Sequence, residues 1–188
     1  MLRKGVDLDN LEDIKLFYPK PSEADSEESK RLYAQNQFCV TRQQTFSSTN
    51  PGQEIDLLIS VNGLPLFTIE LKNPWTGQTA RYNGIKQYKE ERNPKEPLLN
   101  YGRCLAHFTM DKDEVYFTTR LNEGKTFFMP FNQGLPDGLG AGNPVNENGY
   151  KTSYMWERIL TKATLSDIIM NYALFDYGET KNKEKSSS

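Results

Sequence analysis

Asn62-Gly63 constrains this chain more than any other feature, because it stands between two apolar runs of strand length within 54–72. Both residues tolerate positive φ at the centre of a tight turn, and flanking segments rich in Ile, Val, Leu and Phe complete the signature of a β-hairpin. Asp56 then lies near the start of the first strand, and Glu70 and Lys72 lie at the end of the second. Folding back at the turn brings position 56 beside position 70. Glu70 and Lys72 share a face, and Leu71 between them looks the other way. Two carboxylates and one ammonium converge on one patch.

Charges at strand ends often form nothing more than a solvated rim. Here Leu57, Leu58, Ile59, Leu66, Phe67, Ile69 and Leu71 describe strands covered on both faces, where an unpaired charge is costly. Two carboxylates plus a backbone carbonyl suit a hard divalent cation such as Mg²⁺. A lysine beside such an ion can orient or deprotonate water and stabilise charge developing on a phosphate.

Asp56 followed by Glu70-Leu71-Lys72 resembles the Asp…(Asp/Glu)-x-Lys motif of the PD-(D/E)xK nuclease superfamily. The longer text is similar to the N-terminal nuclease domain of the R (restriction) subunit of type I restriction-modification enzymes. The segments that carry this resemblance are Asn36-Gln37-Phe38, Val40-Thr41-Arg42-Gln43, Ile55-Asp56-Leu57, Val61-Asn62-Gly63-Leu64-Pro65 and Ile69-Glu70-Leu71-Lys72-Asn73-Pro74. Thr76-Gly77-Gln78-Thr79, Gln87-Tyr88-Lys89, Pro130-Phe131-Asn132, Gly140-Ala141-Gly142-Asn143-Pro144 and Tyr154-Met155-Trp156-Glu157 extend it. The resemblance implies an α/β fold with a restriction-endonuclease-like core, a central mixed β-sheet flanked by helices.

It further implies a Mg²⁺-dependent endonuclease module acting on DNA, with Mn²⁺ able to substitute. Asp56 and Glu70 would hold the metal with the Leu71 carbonyl, and Lys72 would position the attacking water. Glu54, two residues before Asp56, is a weaker candidate. ATP would enter only through helicase-like motor domains absent from this chain, and the methyltransferase and specificity subunits would be partners of the full-length protein. The isolated chain is expected to cut weakly or not at all. Two alternatives stay open: a non-catalytic nucleic-acid or protein-binding module on the same fold, and a nuclease of another PD-(D/E)xK family.

The segment 79–92 predicts a helix ended by Asn93-Pro94, with Arg81, Lys86, Lys89 and Arg92 interleaved with Tyr82 and Tyr88 on its exposed face. Related nucleases often carry Gln-x-x-x-Tyr on this helix. Tyr88 falls at the tyrosine position, but Gly84 stands where the glutamine belongs. The expected nucleic-acid contacts are Tyr88, Gln87, Lys86 and Arg81.

Length and charge bound the rest. The 188 residues, 36% hydrophobic and 26% charged, suit one globular domain. A net charge of −2 excludes a uniformly basic surface, so any nucleic-acid contact is local. No apolar run approaches the roughly 20 residues of a membrane helix, and no signal-peptide pattern opens the chain, so the expectation is a cytoplasmic protein without membrane contact. Cys39 and Cys104 lack metal-ligand spacing and read as free buried thiols.

The organisation expected is an irregular N-terminal extension over 1–34, the nuclease-like domain over 35–175 and a polar tail or linker over 176–188. Within the extension, Gly5-Val6-Asp7 and 14–18 would add a short strand, and 26–33 a surface helix. Further strands are predicted over 36–46, 103–109 and 114–119. His107, the sole histidine, sits in an apolar strand as a satisfied core residue. Gly134 to Gly149 is a loop rich in breakers. Helical spacing returns over 154–160 and 165–175, the second helix capped by Thr164 or Ser166.

Overall fold

The computed structural model describes residues 14–174. The expected strand at Gly5-Val6-Asp7 and the polar tail over 176–188 lie outside the described residues. The hairpin forms as its sequence dictates: β2 (Glu54–Val61) and β3 (Leu64–Leu71) pair antiparallel through Asn62 (φ 50) and Gly63 (φ 80). A plain two-residue hairpin would set Asp56 opposite Ile69. An irregularity between Ile59 and Ser60 leaves Leu66 as an extra residue on β3, just after Pro65, which has no N–H to give to a ladder. The register advances by one, Leu57 faces Ile69, and Asp56 and Glu70 lie one step beyond that last pair.

Four more strands complete one mixed sheet in the order β1-β2-β3-β4-β5-β6: β1 (Phe38–Thr45), β4 (Ala106–Met110), β5 (Val115–Thr118) and β6 (Met129–Pro130). β3 and β4 run parallel and every other pair antiparallel. The parallel pair needs a crossover. Its first half is a short 3₁₀ turn (Pro74–Thr76), then a wide π-type turn (Ala80–Gly84) running directly into α2 (Ile85–Glu90). The other face is covered by a π-type turn (Met155–Ile159) and α3 (Lys162–Asp167), prolonged by a second wide turn (Ile168–Tyr172). A surface helix α1 (Glu27–Ala34), capped by Ser26, precedes β1.

Alternation along β3 divides the interior. Phe67 and Ile69 join Ile59, Phe108, Val115, Leu165 and Ile169 in the larger apolar cluster under α3. Thr68 and Glu70 point the other way, toward α2, where Tyr88 packs with Ile55, Leu99, Leu121 and Phe128. The sheet is thus covered on both faces around the hairpin, and Glu70 enters a buried layer.

Two expectations need correction. The cap of α3 is Thr161, whose hydroxyl oxygen accepts the Thr164 N–H at 3.3 Å. The helix starts at Lys162, before the apolar spacing becomes visible, and Ser166 instead donates to the Lys162 carbonyl at 2.7 Å. Cys104 is buried as expected, but Cys39 is exposed because β1 is an edge strand with most of its residues open to solvent. The loop over 134–149 forms no helix or strand, yet it is closed on itself by Gly134 N–H to the Gly142 carbonyl (2.9 Å) and Leu135 N–H to the Gly140 carbonyl (3.0 Å).

Candidate active site at the open end of the hairpin

The β2–β3 ladder stops at Leu57↔Ile69. Beyond it the strands part, and the next β3 donor on that edge, the Leu71 N–H, is taken by the Asp56 carboxylate, Oδ2 at 2.7 Å. A side chain has replaced a rung of the sheet. On the other side of β2, Gln43 occupies the step between the pairs Arg42↔Leu57 and Gln44↔Ile55 with φ 50. A non-glycine residue in the left-handed region thus stands in β1 directly beside Asp56, and such strain concentrates at functional sites. Ile55 lies in the α2-side cluster, and Asp56 is half-buried beside it.

Glu70 is 1% exposed. Its Oε1 accepts the Arg92 Nε–H at 2.7 Å, and the same guanidinium donates through Nη2 to the Glu54 carbonyl at 3.0 Å while lying 5.2 Å over the Phe46 ring. Burial raises the Glu70 carboxyl to about 7; Arg92 opposes this, Asp56 adds to it and Lys72 opposes it. Glu70 therefore feels both of the other residues that the sequence placed beside it. Arg92, expected on the open face of the helix, is buried: α2 ends at Glu90, and the chain turns in toward the sheet before Asn93-Pro94.

Lys72 leaves β3 on the same side as Glu70. Its N–H donates to the Met110 carbonyl at 2.8 Å, and its Nζ donates to Oε1 of Gln87 on α2. Leu71 points away and is largely exposed. The Leu71 carbonyl leaves the strand on the edge that its N–H shares with Asp56, as both groups of one strand residue do. Asp56, Glu70, Lys72 and that carbonyl thus share the open end of the hairpin. Glu54 contributes its carbonyl to Arg92 and keeps its side chain in solvent, and among the described residues no cluster of three or more His, Cys, Asp or Glu forms.

The family model for the Type I restriction enzyme R protein N terminus (HSDR_N) matches residues 2–126. The chain belongs to this family. The match spans Asp56 through Arg92 and ends before the loop over 134–149 and α3. It also takes in residues 2–34. A comparison with curated proteins finds no match. Membership places the chain with a restriction enzyme R subunit, broadly a nuclease, and the mixed six-stranded sheet with flanking helices agrees with a restriction-endonuclease-like fold.

Within this family's fold, α2 presents a different face from the one expected. Tyr88 is 0% exposed, and its hydroxyl meets Thr68 Oγ1 at 2.8 Å, which also meets His107 Nδ1 at 2.7 Å. Tyr88 therefore cannot touch DNA in this conformation. Residues four apart share a helix face, and Ala80, Gly84 and Tyr88 form the stripe that α2 and its leading turn press on the sheet. His107 is the satisfied core residue expected, its imidazole pushed down to about 4 by burial. Arg81 and Lys86 do remain exposed, Arg81 near the Tyr82 ring (5.8 Å) and Lys86 loosely paired with Glu90 (3.8 Å). Gln87 is half-buried and engaged with Lys72.

The donor set fits a hard cation. Two carboxylates and a carbonyl, with no histidine or thiol among them, match the oxygen ligands of Mg²⁺, which keeps several waters. Protein zinc sites are typically built around histidine or cysteine, and this donor set has neither. Burial, with Asp56 adding to it, holds the Glu70 carboxyl at about 7 even with Arg92 and Lys72 beside it. Sequence reasoning missed Arg92 and Thr68. Nothing local distinguishes Arg92 from the other basic residues of the segment 79–92, and Thr68 is one more β-branched residue in a strand.

Proposed function

We propose that this chain is the nuclease module of a type I restriction enzyme R subunit, hydrolysing DNA phosphodiester bonds with Mg²⁺. The observation that carries this reading is the Asp56 carboxylate seated on the Leu71 N–H, the residue between Glu70 and Lys72, where the ladder of the central hairpin ends. Asp56, Glu70 and the Leu71 carbonyl would hold the ion. When bound, a divalent cation there polarises a phosphate oxygen and acidifies water. The Lys72 ammonium, steadied by Gln87, orients the incoming water and stabilises charge developing on the phosphate. Arg81 and Lys86 contact the DNA backbone from the exposed side of the crossover helix, a mode that reads phosphates rather than base edges.

The setting is cytoplasmic. Target recognition belongs to the specificity and methyltransferase subunits, and ATP-driven translocation to motor domains of the full-length protein, so the 188 residues alone cut DNA poorly. The second reading is a binding module in which the carboxylates are structural, and the pairing of Glu70 with Arg92 favours it.

Metal binding separates the two. Melting temperatures are compared with and without Mn²⁺ at constant ionic strength for wild type, Asp56→Asn, Asp56→Ala and Lys72→Ala. A functioning site stabilises wild type by mass action, by ~2.7 kcal/mol at an ion concentration about 100-fold above the dissociation constant. Asp56→Asn keeps an acceptor for the Leu71 N–H but loses the charge, and it abolishes the shift, as does Asp56→Ala. Lys72→Ala keeps or enlarges the shift while removing any Mn²⁺-dependent plasmid nicking. No shift in wild type, or an equal one in the Asp56 variants, refutes the metal site. Robust sequence-specific cleavage by the chain alone refutes the assignment to a restriction complex.

A further inference from the structure

The guanidinium of Arg92 bridges the two strands where their ladder has ended. Nε donates to the Glu70 carboxylate on β3 at 2.7 Å, and Nη2 donates to the Glu54 carbonyl on β2 at 3.0 Å, two residues before Asp56. Arg92 is 8% exposed and lies over the Phe46 ring, so it is packed in place rather than drawn across an open cleft. It engages Glu70 through Oε1 alone, with Nη2 turned to the strand opposite, and does not close on both carboxylate oxygens as a two-pronged pair.

We infer that Arg92 is a positioning residue for the divalent-cation site, a strut that sets the separation and rotamer of the carboxylates Glu70 and Asp56. This rests on the function proposed above. The physical argument weighs two opposed effects of one cation. A positive charge beside a cation site repels the incoming ion, which alone would make removal of Arg92 tighten binding. Against that, a buried carboxylate without its partner loses orientation, and the parted strands lose a connection between them. Groups that orient metal ligands typically account for 10–100-fold in affinity. The two-strand bridge makes the orienting effect the larger one.

The test is the Mn²⁺ dissociation constant of the whole chain, read from the loss of the free-ion electron paramagnetic resonance signal, with the fold of each variant checked by amide NMR. Arg92→Met, which keeps the volume and removes both donors, weakens binding by about 10–100-fold. Arg92→Lys keeps the charge but cannot span both strands, and it falls between wild type and Arg92→Met. Phe46→Leu removes only the ring under the guanidinium and gives a smaller weakening; it covers the case in which Arg92→Met does not fold. A merely structural role would lower the melting temperature of the variants and leave the dissociation constant of the folded protein unchanged.

Unchanged or tighter binding in folded Arg92→Met overturns the inference while leaving the proposed function intact. If Arg92→Met does not fold, Arg92→Lys and Phe46→Leu decide in the same way. A wild type that binds no Mn²⁺ overturns the proposed function, and this inference with it.

Discussion

Gly84 and Thr109 touch so closely that a Cβ built on the glycine would stand 1.7 Å from the threonine Oγ1 and 2.7 Å from its Cβ. The Thr109 hydroxyl is buried without a hydrogen-bond partner, so the crossover helix lies flat on β4 at this point. That contact leaves no room for a side chain at the position where the resemblance leads one to expect glutamine. The amide that reaches Lys72 comes from Gln87, three residues on.

The backbone at Gly84 is helical (φ −69), so alanine would gain roughly 1 kcal/mol from helix propensity alone. The overlap reverses the sign. Gly84→Ala is expected to destabilise by about 1–3 kcal/mol, as overpacked cores do. Adding Thr109→Ala recovers part of the loss, since the atom at 1.7 Å is gone and the one at 2.7 Å remains. Urea denaturation of wild type and the two variants measures this, and a stabilised Gly84→Ala would show that the helix is free to lift off the sheet.

Thr68 holds two buried groups at once, the Tyr88 hydroxyl and His107 Nδ1. A hydroxyl can donate to one partner and accept from another, and valine can do neither. Thr68→Val, near in shape, leaves both partners unsatisfied and costs on the order of 2–4 kcal/mol, whereas Tyr88→Phe removes its own demand and costs about 1 kcal/mol. Equal losses in the two variants by chemical denaturation would show that the triad is not centred on Thr68.

Two buried titrations oppose each other. Glu70, at about 7 in the folded chain against 4.5 ordinarily, binds an extra proton when folded, so its contribution to stability is full below 4.5 and is lost as pH rises to 7. His107, at about 4 against 6.5 ordinarily, is neutral when folded, so its contribution is full above 6.5 and is lost as pH falls to 4. Between pH 4.5 and 6.5 the slopes from this pair cancel. Glu70→Gln removes one of them, so its stability relative to wild type is expected to rise as pH increases from 4.5 to 7. Isothermal urea melts across that range check the sign, and a pH-independent difference would place Glu70 at an ordinary carboxylate value.

The sequence by itself determined what is local. Asn62-Gly63 fixed the turn, alternation put Glu70 and Lys72 on one side of β3 with Leu71 on the other, and proline at positions 74 and 94 bounded the crossover helix. These follow from backbone preferences and side-chain period, which act over a few residues. Tertiary structure decided the rest. The irregularity beside Pro65 chose the register that ends at Leu57↔Ile69 with Asp56 and Glu70 one step beyond, whereas a plain two-residue hairpin would have set Asp56 opposite Ile69. Packing on the sheet turned Tyr88 of α2 and Arg92 just beyond it inward, although the charge pattern over 79–92 reads as a solvent-facing helix. Such outcomes depend on which atoms from distant segments fill the same space, and no spacing along the chain records that.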